Sequence, residues 1–243
     1  MKARPILMNG DMVRAVMREI EQPGRGKTQT RRFVNPEPNP RISEKFPHPM
    51  VRDGRLFFCA SRQDEYPMWE HPMFCPYGQP GDLLYVRETF GHGWSYGGGD
   101  PVVFYRATGD GWIGSDAFPP ADVMNGRFGV SSGQPACSVS KNTKWTPSIH
   151  MPRWASRITL QITDVRVERL QDISEEDAVA EGIDYPTFAG RQPDDLPDVA
   201  PSDVFAKLWD SIYGTWAENP WVWVIEFKPI LANVDDVLRE QNA

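Results

Sequence analysis

Between an apolar-periodic run and a strand-like run, the chain places one lysine, two threonines and three arginines in the stretch Gly24-Arg25-Gly26-Lys27-Thr28-Gln29-Thr30-Arg31-Arg32. Hydroxyls that can attack or position water, an amine that can take or hold a proton, and guanidinium groups that bind anions are the ingredients of a hydrolytic or nucleotide-handling site. Gly26-Lys27-Thr28 mimics the end of a phosphate-binding loop. That motif needs its first glycine where this chain has Glu21, and it runs from strand to helix, the reverse of the order here. Cys59, His71 and Cys75 lack the paired spacing of a zinc site, so no metal is expected. No cofactor is expected either.

The elements that must hold this stretch follow from periodicity. Residues 5–9 predict a short strand. Asn9-Gly10-Asp11 predicts a turn with Asp11 as helix cap, and Met12, Val13, Ala15, Val16 and Ile20 recur at helical spacing. Gln22-Pro23-Gly24 ends that helix. Residues 28–34 then read as extended, with Thr28, Thr30 and Arg32 on one face and Gln29, Arg31 and Phe33 on the other. Lys27 and Thr30 are expected to lie close enough to share a site.

Further along, prolines at 36, 38, 40, 47 and 49 predict an extended surface excursion. Residues 55–60 read as a strand, 61–80 as loop, 83–90 as a buried strand ending in Arg87 and Glu88, and 102–107 as another strand. Residues 108–144 read as a long irregular insertion. Arg87 and Glu88 are expected to pair at the strand end or to line a pocket. The aromatic and basic block 145–157 contains Trp145, His150 and Trp154, which can stack on a base or pack in a core. Residues 158–167 alternate as a strand. Ser174 caps a helix that carries Glu181 and stops at Gly182; Ser202 caps another through about residue 213; residues 221–228 form the strongest strand; and the last dozen read as a polar helical tail. Strands dominate, and no strand-helix alternation suggests a parallel sheet. The pattern fits a small α+β protein built on a mixed β-barrel with peripheral short helices and long inserted loops.

Composition bounds the function. With 243 residues, 40% hydrophobic and 12% aromatic, the chain can bury a real core. Nothing approaches the roughly 18 consecutive apolar residues of a membrane span, and the N-terminus lacks a signal-peptide core, so a cytoplasmic protein with no membrane partner is expected. The net charge of -7 argues against a protein that coats nucleic acid. Residues 1–34 nevertheless hold eight Lys and Arg against three acids, whereas from residue 164 onward 18 acids face six bases. A basic patch on an acidic body suits a nucleoside, a nucleotide or a short RNA better than an extended groove. A monomer is expected.

Several motifs in order resemble one family. Lys27-Thr28-Gln29-Thr30-Arg31-Arg32 after a helix, Gly81-Asp82-Leu83-Leu84-Tyr85-Val86 as a strand, the helix over 173–183 and a last strand ending Trp223-Val224-Ile225-Glu226-Phe227 resemble the ASCH domain, a PUA-like β-barrel. The likeness covers residues 1–230, with insertions at about 35–78, 91–144 and 184–201 and a tail at 231–243. The block 148–157 is similar to ASCH-type proteins of tailed phages and prophages. The resemblance implies an activity found in one branch, an amidohydrolase that removes the acetyl group from N4-acetylcytidine. It would put catalysis on Lys27, Thr30 and Glu181, with Glu175 or Glu176 in place of Glu181 if the helix register differs. Arg31, Arg32, Arg87, Glu88, His150 and Trp154 would contact substrate. Gly26 stands as an extra residue before the lysine. Thr30 would attack or position water; Lys27 would act as base or hold the oxyanion; Glu181 would orient the lysine, accept a proton or bind an exocyclic amine. A non-catalytic RNA-binding module and an RNA-cleaving ASCH enzyme are the alternatives.

Overall fold

A computed structural model describes residues 1–61, 69–94, 101–108, 111–112, 144–183 and 199–241. Much of the insertions expected at 91–144 and 184–201 lies outside them. The chain forms two compact units, one from Met1–Arg14, Leu83–Leu160 and Pro229–Ala243, the other from Ala15–Asp82 and Gln161–Lys228.

In the first unit, β1 (Ala3–Leu7) pairs in parallel with β6 (Leu83–Arg87), with Ala3 opposite Leu83 and Leu7 opposite Arg87. The sequence shows no strand-helix alternation that would point to this pair. The connection between the two strands passes through several intervening elements, so no local strand-helix-strand signature exists to be read. β6 is followed in the sheet by the start of β11 (Thr159–Arg169). A second sheet has the order β10-β7-β8-β9, from Trp145–Thr146, Phe90–Trp94, Pro101–Tyr105 and Gly111–Trp112. Phe90, Val103, Tyr105, Met151 and Ala155 form its buried cluster.

The residues read as a polar tail form a docked helix, α5 (Val234–Gln241). Val234 and Val237 are buried against Leu83. Asn233 caps the helix by accepting from the Asp235 amide at 2.9 Å, and its Nδ2 donates to the carbonyls of Arg153, Trp154 and Ser156 at 3.1, 3.1 and 2.7 Å. One buried amide therefore serves two segments.

In the second unit the sheet continues as β11, β12 (Trp221–Ile230) and β2 (Gln29–Phe33), with β12 and β2 antiparallel. The strand expected at 55–60 forms as β4 (Arg55–Cys59), and it joins β3 (His48–Arg52) and β5 (Trp69–Phe74), which the sequence presents as loop, in a three-stranded sheet. The proline-rich stretch also folds a short helix, α2 (Pro40–Lys45), because Asn39 caps it and Pro40 stands at the first helical position, where its missing N–H costs nothing. Three further helices complete the unit: most of α1 (Gly10–Glu21), α3 (Glu175–Ala180) and α4 (Pro201–Tyr213). Leu170, Ile173, Ala178, Phe205, Trp209, Val222 and Val224 are the core between sheet and helices.

Two expected caps move. Asn9, not Asp11, accepts from the Met12 amide at 2.9 Å, and α4 begins after Ala200 with Pro201 at its first turn. Ser202 instead bonds Glu175 through its hydroxyl at 2.6 Å and its amide at 2.9 Å. Ser174 does cap α3, accepting from the Asp177 amide at 3.1 Å. The architecture is mixed α and β with several open sheets and short helices; the described strands do not close into a barrel.

Replacing Asn233 by Ala strands three carbonyls and a helix end. It is expected to lower unfolding free energy by about 2–4 kcal/mol in urea denaturation, and a loss near zero would show that solvent replaces the amide.

Candidate functional site

The stretch singled out from the sequence is held by main-chain contacts inside the second unit. Glu19 of α1 accepts from the Gly24 amide at 2.9 and 3.0 Å and from the Gly26 amide at 2.8 Å. Arg18 donates to the carbonyls of Arg25 and Gly182 at 2.7 and 2.9 Å. The Lys27 amide donates to Ala15 at 2.9 Å and the Thr28 amide to Ala180 at 2.9 Å. The turn after α1 is thereby tied to the end of α3.

Gly26 is explained by this packing. A Cβ there would stand 2.2 Å from the Glu19 amide nitrogen and 2.4 Å from the Ala15 carbonyl oxygen, so only glycine lets the turn lie against α1. Gly182, at φ +91, performs the matching service at the end of α3, where a Cβ would be 2.7 Å from that of Ala15 and 2.9 Å from that of Lys27.

Lys27 and Glu181 meet here, both buried. Lys27 Nζ donates to Glu181 Oε2 at 2.5 Å and to its carbonyl at 2.8 Å. Burial pushes the lysine pKa down; Glu181, by charge and hydrogen bond, opposes this, while Arg32 and Arg31 add to the lowering. Glu175 is bonded to Ser202 and Glu176 is exposed, so Glu181 is the helix acid that reaches the lysine.

Arg31, rather than Thr30, joins this pair. Its Nη1 donates to Glu181 Oε1 at 3.3 Å, and its Nη2 to Asp177 at 2.8 Å and Glu168 at 3.2 Å. Arg166 extends the network to Glu168 at 2.6 Å, Asp177 at 2.8 Å, Gln29 at 3.1 Å and Glu226. Three cations and four carboxylates thus share one cluster. Burial would raise the Asp177 carboxyl, but Arg31 and Arg166 outweigh it and hold it below its usual range. Sequence reasoning missed Asp177, Glu168 and Arg166. The available signals were the four-residue spacing of Asp177 and Glu181 on one helix and the alternation of Arg166 with Glu168 on one strand.

By strand alternation Thr30 faces away from Arg31. It is fully buried, and its hydroxyl has no hydrogen-bond partner. It therefore makes no bond to Lys27 or Glu181. Arg32 is half-buried and donates to the Arg31 carbonyl at 3.3 Å. Beside the network, Arg166, Val167 and Glu168 line a cleft of about 270 Å³ with His48, Pro49, Met50, Cys59 and Ser61. Among the described residues no three His, Cys, Asp or Glu side chains form a metal-holding group.

The remaining candidates belong to the first unit. Arg87 and Glu88 do not pair: Arg87 donates to the carbonyls of Met151, at 2.8 Å, and Ile149, and Glu88 takes Arg157 at 2.9 and 3.1 Å. Glu88 lies just past the end of β6, and Arg157 takes its carboxylate. Arg157 also donates to Thr108 at 3.0 Å and lies 3.9 Å above the Tyr105 ring. Burial raises Glu88 against the pull of Arg157. His150 is exposed, and Trp154 packs on the cluster around Met151. No helix of the described residues is long and apolar enough to cross a membrane.

No protein-family model, curated protein or solved structure matches the chain.

Two outcomes test the cluster. Lys27→Met leaves Glu181 buried with only its longer bond to Arg31, so a loss of about 3–5 kcal/mol is expected; a loss below about 1 kcal/mol would mean water reaches Glu181. Because the folded Asp177 pKa lies below the unfolded value of about 3.9, its stabilisation is present above that pH and is lost as pH falls through the folded value. Asp177→Asn should flatten the acid limb of a stability-against-pH curve, and an unchanged limb would assign it to other carboxylates.

Proposed function

We propose that this chain is an ASCH-type, PUA-like amidohydrolase that removes an N4-acyl group from cytidine or a related nucleotide. The observation that carries the reading is the buried contact between Lys27 and Glu181, residues on separate elements and 154 positions apart. The family resemblance implies that pair, while their spacing in the chain does not. Burial that lowers the lysine pKa is what a proton-accepting amine near neutral pH requires, and Glu181 holds Nζ in a fixed place. Thr30 is the nucleophile that the resemblance implies: its hydroxyl is fully buried and has no hydrogen-bond partner, and because it lies on the other face of β2 from Arg31, reaction with a substrate would require that face to open.

A second reading is favoured by the closure of the network. Lys27 is 1% exposed and Nζ already has two acceptors. On that reading the charges cross-link β2 and α3 in a non-catalytic RNA-binding module.

The test is chromatographic release of cytidine and deoxycytidine from N4-acetylcytidine and its deoxy form by wild type and Thr30→Val. Valine fills the same space without the unpaired hydroxyl, so the variant should be as stable as wild type or more stable by up to about 1–2 kcal/mol, and should release no product. An intact substrate with wild type overturns the amidohydrolase. RNA retention by both proteins would then establish the second reading, and cutting of a labelled RNA would establish an RNA-cleaving enzyme.

A further inference from the structure

Arg31 commits its nitrogens unevenly. Its side chain is fully buried and its Nε has no hydrogen-bond partner. Its two terminal nitrogens serve three carboxylates: Nη1 donates to Glu181 Oε1 at 3.3 Å, and Nη2 to Asp177 at 2.8 Å and Glu168 at 3.2 Å. The family resemblance implies a substrate contact at Arg31, whereas the fork faces the protein's own acids. A planar guanidinium spread over three carboxylates fixes where each of them stands, which a point charge does not.

Glu181 is thereby divided between two cations. Lys27 Nζ takes Oε2 at 2.5 Å, and Arg31 takes Oε1. A carboxylate favours the ammonium form of a lysine most when its charge is undivided; a second cation on the other oxygen weakens that hold and, as a like charge, disfavours the ammonium directly. Asp177 precedes Glu181 by four residues, so one face of the α3 turn presents both acids to the fork. The Phe205 ring lies 5.8 Å from the guanidinium carbon on the same side of the sheet. Of the other charged groups around the amine, Arg32 donates to the Arg31 carbonyl, and Arg18 and Glu19 of α1 bond the main chain of Gly24, Arg25, Gly26 and Gly182.

We propose that Arg31 is a positioning residue for Lys27: by holding Glu181 Oε1 it leaves the amine a single carboxylate oxygen, and so keeps it able to release its proton and accept one from a reacting group. Asp177 and Glu168 complete the device by holding the fork in place. The catalytic use of the amine rests on the function proposed above; the division of Glu181 rests on the bonds alone. Charge and position are separable here. A lysine at 31 keeps the charge and loses the fork. An asparagine at 177 loosens the fork while Lys27 and Glu181 stay as they are. By charge alone, loss of that acid favours the free amine, whereas a loosened Arg31 returns Glu181 to Lys27 and favours the ammonium.

The experiment follows the Lys27 side chain by heteronuclear NMR across pH in wild type, Arg31→Lys and Asp177→Asn, with its signal identified by absence from Lys27→Arg. Turnover of N4-acetylcytidine is measured over the same range. The expected result is that Lys27 titrates at higher pH in both variants than in wild type. Turnover should fall about ten-fold on the acid side of the profile and keep its alkaline plateau, since a base that holds its proton more tightly recovers as pH rises. Titration at the wild-type pH in Arg31→Lys, or a shift to lower pH in Asp177→Asn, overturns the role and leaves Arg31 a structural cross-link. Turnover lost equally at every pH with the titration unmoved does the same. If Arg31→Lys does not fold, Asp177→Asn decides by the sign of its shift. A shifted titration without turnover in wild type keeps the action of Arg31 on the pair and removes the amidohydrolase.

Discussion

A buried ammonium needs a carboxylate, and the second unit is organised around meeting that need for Lys27. Its amine is out of water, so α3 must end where Glu181 can reach it, and Gly182 must turn away at positive φ to let α1 and the lysine approach. Glu19 and Arg18 fix the turn before the lysine; the Ala15 and Ala180 carbonyls fix its backbone. The two glycines are then consequences of crowding around one ion pair. Leaving either charge unmatched in such a place costs more than the pair itself contributes, which makes the arrangement all-or-none.

Around that pair the charges are arranged in series. Arg31 touches Glu181, Asp177 and Glu168, and Arg166 returns to the latter two, so each cation shares its acids with another. The Lys27 and Arg31 side chains are 1% and 0% exposed, whereas Arg166 is 29% exposed. Solvent screening therefore acts mainly at the Arg166 end, beside the cleft, and leaves the lysine end in a low-dielectric setting. The opposite face of β2 and β12 has another character: it carries Trp221 and Trp223, whose indole nitrogens, like the Thr30 hydroxyl, have no hydrogen-bond partner.

The first unit settles its polar groups differently. Arg157 is buried against Glu88, Thr108 and the Tyr105 ring, and Arg87 supports the backbone of 149–151. These residues read as site candidates from the chain because charged and aromatic types cluster there. In the fold they anchor turns, and the aromatic side chain of Trp154 is spent on packing.

The sequence by itself determined the elements with strong local signals. The α1 period, the Ser174 cap, the alternation of 158–167 and the apolar run at 221–228 all formed where their side chains required, since period and capping act within a few residues. It also marked Lys27 and Thr30 as unusual. Tertiary structure alone decided the partners. A parallel strand pair with dozens of residues between its members leaves no local trace, nor does a proline-rich stretch that becomes helix and strand once β4 is present to pair with β3. That Arg31, and not Thr30, turns toward Glu181 follows from strand alternation, visible in the chain, combined with the position of α3, which is not. Which charges are buried depends on what packs over them, and that is a property of contacts between distant segments.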